Sequence, residues 1–357
     1  MPNVIGFDIG GANTKAAFIN VEKGHLVDLK SSSKYFPVWK ERERLSAMLL
    51  RLKSKLGGAS KVDCVGVTMT AELADSYRTK KEGVEAILAA VEKAFPATKV
   101  LILNTKGQLL TLSQARQEPL QVAAANWAAT GWMVAQLVRD CMVLDTGSTT
   151  TSIIPIARGA VKAEGETDLE KLTNGELVYT GSLRTNVAAI VQTIPLEGRV
   201  VRVASELFAQ SGDVHLILGN ISEEDYTVEA ADGKGKTKKE AVARLARIIC
   251  ADVETLNEAQ ILKMAQYVHD KQVEQVANAL SQVYGRTKAL WRGKPSVVVT
   301  GLGGRFLARK AAEKLGFSEQ CDLEDLVKCR IAKVSTAVGV GLMAATELEG
   351  ERIEWTL

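Results

Sequence analysis

The sequence predicts an α/β protein whose two halves open alike. Three observations carry that expectation. Short apolar runs with strand character alternate with segments whose apolar residues recur at helical spacing. The order strand, aspartate, glycine turn, strand occurs twice, once at Asp8 and once at Asp145. A third glycine turn, GLGG at 301–304, follows an apolar run and precedes a helical segment.

Taken in order, residues 4–8 read as a strand. Gly10 and Gly11 break it and residues 14–19 resume it, so a hairpin with the tip DIGGANTK is expected. Residues 25–35 add a third strand. Over 42–56, Leu45, Met48, Leu49, Leu52 and Leu56 keep helical spacing, and Gly57-Gly58 ends the helix. A buried strand is expected over 62–67, an amphipathic helix over 83–95 stopped by Pro96, and a strand over 100–103. The polar, Pro-containing stretch 112–120 reads as a crossover between domains. An Ala-rich helix over 122–138 leads to the strand 141–144 and the second hairpin, LDTGSTTTSIIPI. Residues 220–239 are polar and Gly/Lys-rich, hence an exposed loop. Helices follow over 239–250 and 259–284, then the strand 296–300, the GLGG turn, a helix over 305–315 and a small-residue helix over 335–347.

The 357 residues carry 45 Lys plus Arg against 42 Asp plus Glu, a net charge of +3, and 46% are hydrophobic. That composition excludes disorder, collagen and coiled coil as descriptions of the whole chain. The near balance of charge offers no argument for a nucleic-acid or membrane partner. No run reaches the roughly 20 apolar residues of a membrane helix. The start MPNVIGFDIGG lacks a basic and then apolar leader pattern. The five cysteines, Cys64, Cys141, Cys250, Cys321 and Cys329, form no C-x-x-C pair, and their odd number argues against a disulfide framework. A cytoplasmic, reduced setting is the expectation. His25, His215 and His269 share no motif and read as structural or exposed.

Three constellations carry chemistry. Asp8, Gly10, Gly11, Asn13, Thr14 and Lys15 combine an acid, a glycine turn and polar donors, the ingredients of a phosphate nest; a plain hairpin turn is the bland alternative. Asp145, Gly147, Ser148, Thr149, Thr150 and Thr151 repeat the ingredients, against the alternative of a Thr-rich strand. Two facing hairpins of this kind can clamp one phosphate chain, and Asp8 and Asp145 are candidate Mg²⁺ ligands. Gly301, Gly303 and Gly304 place a helix start where an anion or nucleotide can sit. They lack the full dinucleotide fingerprint, so NAD is not expected. Glu72 and Asp75 are candidate bases, against helix N-terminal acids as the alternative. Asn126 and Trp127 open an Ala-rich helix, where Trp127 either stacks on a ring or fills the core. Arg184, beside Tyr179, Thr180 and Gly181, is suited to grip a phosphate or carboxylate. Asp232 and Lys234, Lys236, Lys238 and Lys239 form either a lid or a solvated face.

The order of the three glycine turns resembles the actin, sugar kinase and Hsp70 ATPase superfamily across nearly the whole chain. That resemblance implies two ribonuclease H-like lobes with an interdomain cleft, one from residues 1–121 plus 335–357 and one from 122–334, with 220–239 inserted. Longer strings are more specific: VTMTAELADSYRTKKEGV, AAANWAA, LDTGSTTTSIIPI and ETDLEKLTNGELVYTGSLRTNVAAI. They resemble the tetrahydromethanopterin-linked one-carbon transfer pathway proteins, a family similar to the archaeal enzyme that forms the furan–phenol ether of methanofuran. The resemblance implies a transferase that joins an aminomethyl-furan-methyl diphosphate to a tyramine- or tyrosine-derived phenol and releases diphosphate. The chemistry so implied suits Mg²⁺ as cofactor, Lys15 and the hairpins on the diphosphate, and a carboxylate as base, for which Glu72 and Asp75 are the candidates. Small molecules are then its partners, and a homo-oligomer is compatible with the sequence. Ser152 and Ala128 stand where the resemblance leads one to expect an acid and a polar residue. An ATP-dependent small-molecule kinase or hydrolase, and a non-catalytic nucleotide sensor, stay open on the same fold, as does ATP binding.

Overall fold

The computed structural model of the protein describes residues 2–57 and 61–354. Gly58, the expected stop of the first helix, and residues 355–357 of the expected first lobe lie outside them.

Strands β1 (Asn3–Ile9), β2 (Asn13–Glu22), β3 (His25–Tyr35), β4 (Cys64–Met69), β5 (Lys99–Leu103) and β6 (Leu109–Thr111) form one sheet in the order β3-β2-β1-β4-β5-β6. The first three are antiparallel neighbours, and β4 and β5 run parallel to β1. Downstream come β7 (Cys141–Thr146), β8 (Thr151–Ala157), β9 (Ala160–Val161), β10 (Leu177–Val178), a separate pair β11 (Thr193–Leu196) and β12 (Arg199–Arg202), then β13 (Ser296–Thr300) and β14 (Gln320–Asp322). The second sheet has the order β10-β8-β7-β13-β14. The expected α/β class, with two sheets that each open on a hairpin, is what the structure shows.

By contact the chain divides into two compact units. One comprises 1–143, 154–173 and 321–357; the other comprises 144–153 and 174–320. The sequence places the first division at 121/122. The contact division falls later because the helix Asn126–Ala135 packs on the helix Ser335–Glu349. That closing helix also packs on β1, β2 and β4. A further part of this unit's core lies between the sheet and the helices Leu45–Lys55 and Lys80–Ala94, with Phe7, Ile9, Leu49, Leu52, Ile87 and Leu88 fully buried.

Helix boundaries follow local chemistry. Lys80–Ala94 starts three residues before its apolar stripe because the Thr79 hydroxyl accepts from the Glu82 N–H. Residues 112–117 and 119–122 are helical, where the polar stretch 112–120 reads as a crossover between domains. Thr111 and Gln114 make a capping box for Leu112–Gln117, and Pro119 sits in the first turn of Pro119–Val122. The Ala-rich helix is shorter than 122–138, because Ala124 adopts φ 52° and the helix begins only at Asn126.

Residues 220–239 form a loop up to Lys238 and are fastened to the protein. The fully buried Arg244 bonds Asp213 at 2.8 Å, Asp232 at 3.1 Å and the Gly235 carbonyl at 2.9 Å. Glu240 accepts from the N–H groups of Gly235 and Thr237. The lysines of this segment therefore ride on an anchored loop, which favours the solvated-face reading. All five cysteines are free. Cys64 and Cys141 are buried strand residues whose thiols burial pushes up, Cys64 to about 11. Among the described residues no helix is long and apolar enough to cross a membrane.

Candidate functional site

In the first unit, alternation along β1 puts Gly6 and Asp8 on one face of the sheet. Asp8 pairs with Lys15 on β2 and with Thr68 on β4, so the three side chains stand side by side. Asp8 is buried. Its Oδ2 takes the Lys15 ammonium at 3.0 Å and a short hydrogen bond from the Thr336 hydroxyl, at the start of the closing helix. Its Oδ1 is buried without a hydrogen-bond partner, as are the hydroxyls of Thr14 and Thr68. The Gly10 N–H donates to the Asn13 carbonyl at 3.1 Å and closes the turn that holds Gly11.

The same strand end carries Glu72. The Ile9 carbonyl accepts from the N–H groups of Thr70 and Ala71 at 2.9 and 3.1 Å, which turns the chain and leaves Glu72 buried, with Oε2 unpartnered. Burial pushes its carboxyl up to about 7, against the pull of its own backbone N–H, the Lys80 ammonium and the Ala124 N–H. Lys80 is itself paired with Asp168 at 2.8 Å. Asp75, the other candidate base, is exposed. Asn126 and Trp127 follow two and three residues beyond Ala124, at the start of their helix. Trp127 is buried, and the Lys171 ammonium lies 3.5 Å from the centre of its ring. One face of the indole is thus occupied from within the protein, which favours a core role over stacking on a substrate. Sequence reasoning missed Lys171; a lysine in the TDLEKLTNGE stretch reads as solvated, yet it is 1% exposed.

In the second unit three predicted segments meet. The Gly147 N–H donates to the Thr150 carbonyl at 2.9 Å and closes the turn after Asp145. Ser182 donates to the Gly147 carbonyl at 2.9 Å, and Leu183 and Arg184 both donate to the Ser148 carbonyl at 3.0 Å. In a trans peptide the N–H points opposite to the C=O. With the carbonyls of Gly147 and Ser148 engaged by the 182–184 segment, the N–H groups of Ser148 and Thr149 point the other way, as in an anion nest. The GLGG turn abuts the same hairpin. The Gly303 N–H donates to the Thr146 carbonyl at 2.9 Å. Gly301 has φ 83° and lies so close that a Cβ would sit 2.8 Å from Asp145 Oδ1. Gly304 donates to the Gly301 carbonyl at 3.1 Å and is buried under Val299.

The structure thus brings Gly147, Ser148, Thr149, Thr150, Arg184, Gly301, Gly303 and Gly304 together around Asp145, and gathers Asp8, Gly10, Gly11, Asn13, Thr14, Lys15, Glu72, Asn126 and Trp127 within the other unit. Two histidines that look unrelated in sequence are neighbours. His215 is buried and meets His269 edge to face, with ring centres 5.7 Å apart. Burial, with His269 alongside, pushes the His215 pKa down to about 3, so its ring is neutral. Among the described residues no three His, Cys, Asp or Glu side chains gather as a metal site. The unpartnered, hard oxygen of Asp8 still fits Mg²⁺, which takes one or two carboxylates and completes its shell with water and phosphate.

The Hydantoinase/oxoprolinase family profile matches residues 63–347. The chain is 40% identical over 305 residues to the (4-{4-[2-(gamma-L-glutamylamino)ethyl]phenoxymethyl}furan-2-yl)methanamine synthase of Methanocaldococcus jannaschii, covering 85% of this chain and 87% of that one. It is 33% identical over 175 residues to the synthase of the same name from Methanococcus vannielii, covering 49% and 76%. Among solved structures, nucleotide-free acetone carboxylase superposes with a TM-score of 0.56 at 10% identity, covering 96% of this chain and 70% of that one, a likeness of fold. With a profile matched over most of its length and a relative at 40% identity, the chain belongs to the hydantoinase/oxoprolinase family.

Proposed function

We propose that this chain is an ether synthase of methanofuran-type cofactor biosynthesis, joining an aminomethyl-furan-methyl diphosphate to a tyramine- or tyrosine-derived phenol. The observation that carries this is the 40% identity to the Methanocaldococcus jannaschii synthase over 85% of the chain. The nest geometry at Ser148 and Thr149 supports it, because the reaction must stabilise a departing diphosphate. The carbon–oxygen bond between the furfuryl carbon and diphosphate breaks, and diphosphate leaves with the electron pair. The phenol oxygen forms the new bond to that carbon, and its proton passes to the Glu72 carboxylate.

In this reading the Gly147–Thr150 turn donates N–H groups and hydroxyls to diphosphate, and Arg184 adds a charged contact. Lys15 and Asp8 act as a pair: the ammonium fixes Oδ2 and leaves Oδ1 directed elsewhere. Asp8, whose Oδ1 is unpartnered, is the residue that would hold Mg²⁺, and the ion when bound would neutralise charge building on the leaving group.

The test is diphosphate release from the furan diphosphate, with tyramine and glutamyl-tyramine supplied in turn and no ATP. Turnover with one of them is expected, and Asp8→Asn and Asp145→Asn are each expected to lower kcat about 100-fold or more with unfolding curves near the parent's. Inorganic diphosphate is expected to raise Tm more than ATP does, because a ligand of the native state stabilises by mass action. Stabilisation by ATP alone, with ATP-dependent turnover, would transfer the assignment to a kinase or hydrolase.

A further inference from the structure

We propose that Gln272 is a positioning residue for the Gly147–Thr150 turn, holding in place the segment that shapes the nest; this rests on reading that turn as the diphosphate cradle. Gln272 lies midway along the helix Glu258–Thr287 and is fully buried, in a stripe that includes Met264, Ala265, Val268, His269, Val276 and Leu280. A buried amide in such a stripe is costly unless each of its polar atoms is bonded. Here they all are, in a chain with a defined direction.

Asn220 offers its amide N–H to His215 Nδ1 at 3.3 Å. An Nδ1 that accepts leaves the proton of the neutral ring on Nε2. That N–H donates to Gln272 Oε1 at 3.0 Å. The orientation of the Gln272 amide is thereby fixed, and its NH₂ faces the other way. It donates to the Thr180 hydroxyl at 2.9 Å and to the Gly181 carbonyl at 2.8 Å. The Thr180 carbonyl in turn accepts from the Thr151 hydroxyl at 3.0 Å, at the foot of the hairpin. Gly181 rests on the hairpin tip itself; a Cβ there would lie 2.5 Å from the Thr149 carbonyl carbon.

The consequence lies one residue further on. Ser182, Leu183 and Arg184 engage the carbonyls of Gly147 and Ser148, and that engagement aims the Ser148 and Thr149 N–H groups at the anion. A shift of Thr180–Gly181 would loosen those three bonds together. Gln272 therefore acts on diphosphate through the backbone of the turn and touches no reacting atom.

The experiment measures the Kd of inorganic diphosphate by calorimetry on the full chain, alongside KM for the phenol. Gln272→Met keeps the volume and removes both donors. It is expected to weaken diphosphate about tenfold, the scale of one or two lost buried hydrogen bonds, with the phenol KM little changed. Thr180→Val is expected to weaken diphosphate in the same direction, and Thr180→Ser, which keeps the hydroxyl, to recover most of the difference. The Thr180 pair carries the test if Gln272→Met does not fold. If the unsubstituted chain binds no diphosphate, the cradle reading falls and this inference with it. If it binds, and Gln272→Met and Thr180→Val bind equally well while only Tm falls, the cradle stands and Gln272 is structural alone.

Discussion

Glu72→Gln is expected to abolish most turnover and, at alkaline pH, to make the protein more stable. The two effects share one cause. Glu72 is 1% exposed with one carboxylate oxygen unpartnered, and its pKa stands at about 7 against an ordinary value of 4.5. A carboxyl whose pKa is raised on folding binds its proton more tightly in the native state than in the unfolded chain. Stability is then unaffected below about pH 4.5, falls as pH rises toward 7, and carries the full penalty above that. A shift of this size corresponds to about 3 kcal/mol. Glutamine cannot ionise, so the variant is expected to gain on the order of that amount at pH 8 and almost nothing at pH 4, as read by denaturant unfolding at the two pH values. In catalysis the sign reverses. A base with pKa near 7 is poised to take the phenolic proton, so kcat/KM is expected to rise with pH through about 7 in the parent. The variant should lose roughly 10²–10⁴-fold and show a flat profile over that range. Parental turnover in Glu72→Gln would remove Glu72 from the chemistry, and a stability difference independent of pH would remove the burial argument.

Much of this arrangement is legible in the residues, because the signals are local. Glycine turns between short apolar runs mark both hairpins, and β3 and β13 begin and end where the strand pattern does. Glu72 is legible for a related reason, since an acid directly after a buried strand has few places to go. Elsewhere local signals mislead. Alanine content argues for helix through residues 123–125, but Ala124 turns at φ 52°, and it is this turn that brings its N–H to Glu72. A polar stretch with a proline looks like a linker at 112–120, where the capping box at Thr111 sets a helix instead. Other features rest on contacts far apart in the chain. His215 and Gln272 are 57 residues apart, and Gln272 and Thr180 are 92 apart, so no spacing rule joins them. Lys171 and Trp127 are hidden in the same way, because each reads as ordinary for its own neighbourhood.

Gly6→Ala is expected to cost on the order of 4 kcal/mol, well beyond an ordinary core substitution. Gly6 and Gly66 are partners on β1 and β4, and both face the closing helix Ser335–Glu349. A methyl group at Gly6 would land on the Ala337 carbonyl oxygen and within 2.7 Å of the Gly341 nitrogen. These are backbone atoms, so no side chain can swing aside. The helix cannot slide along the sheet either, since a Cβ at Gly66 would lie 2.7 Å from the Val340 carbonyl oxygen, and one at Gly339 would lie 2.6 Å from the Ala129 carbonyl oxygen. Its one escape is to lift, and lifting draws the Thr336 hydroxyl off Asp8. Loss of stability and loss of the Asp8 geometry are therefore expected to come together. Gly285→Ala gives the contrast. Gly285 lies inside the helix Glu258–Thr287 with nothing within 4 Å of a built Cβ, so alanine there is expected to stabilise by about 1 kcal/mol. Unfolding curves of the two variants should move in opposite directions. A Gly6→Ala chain as stable as its parent would mean that the helix does not rest on the sheet, and the support for Asp8 would have to be sought elsewhere.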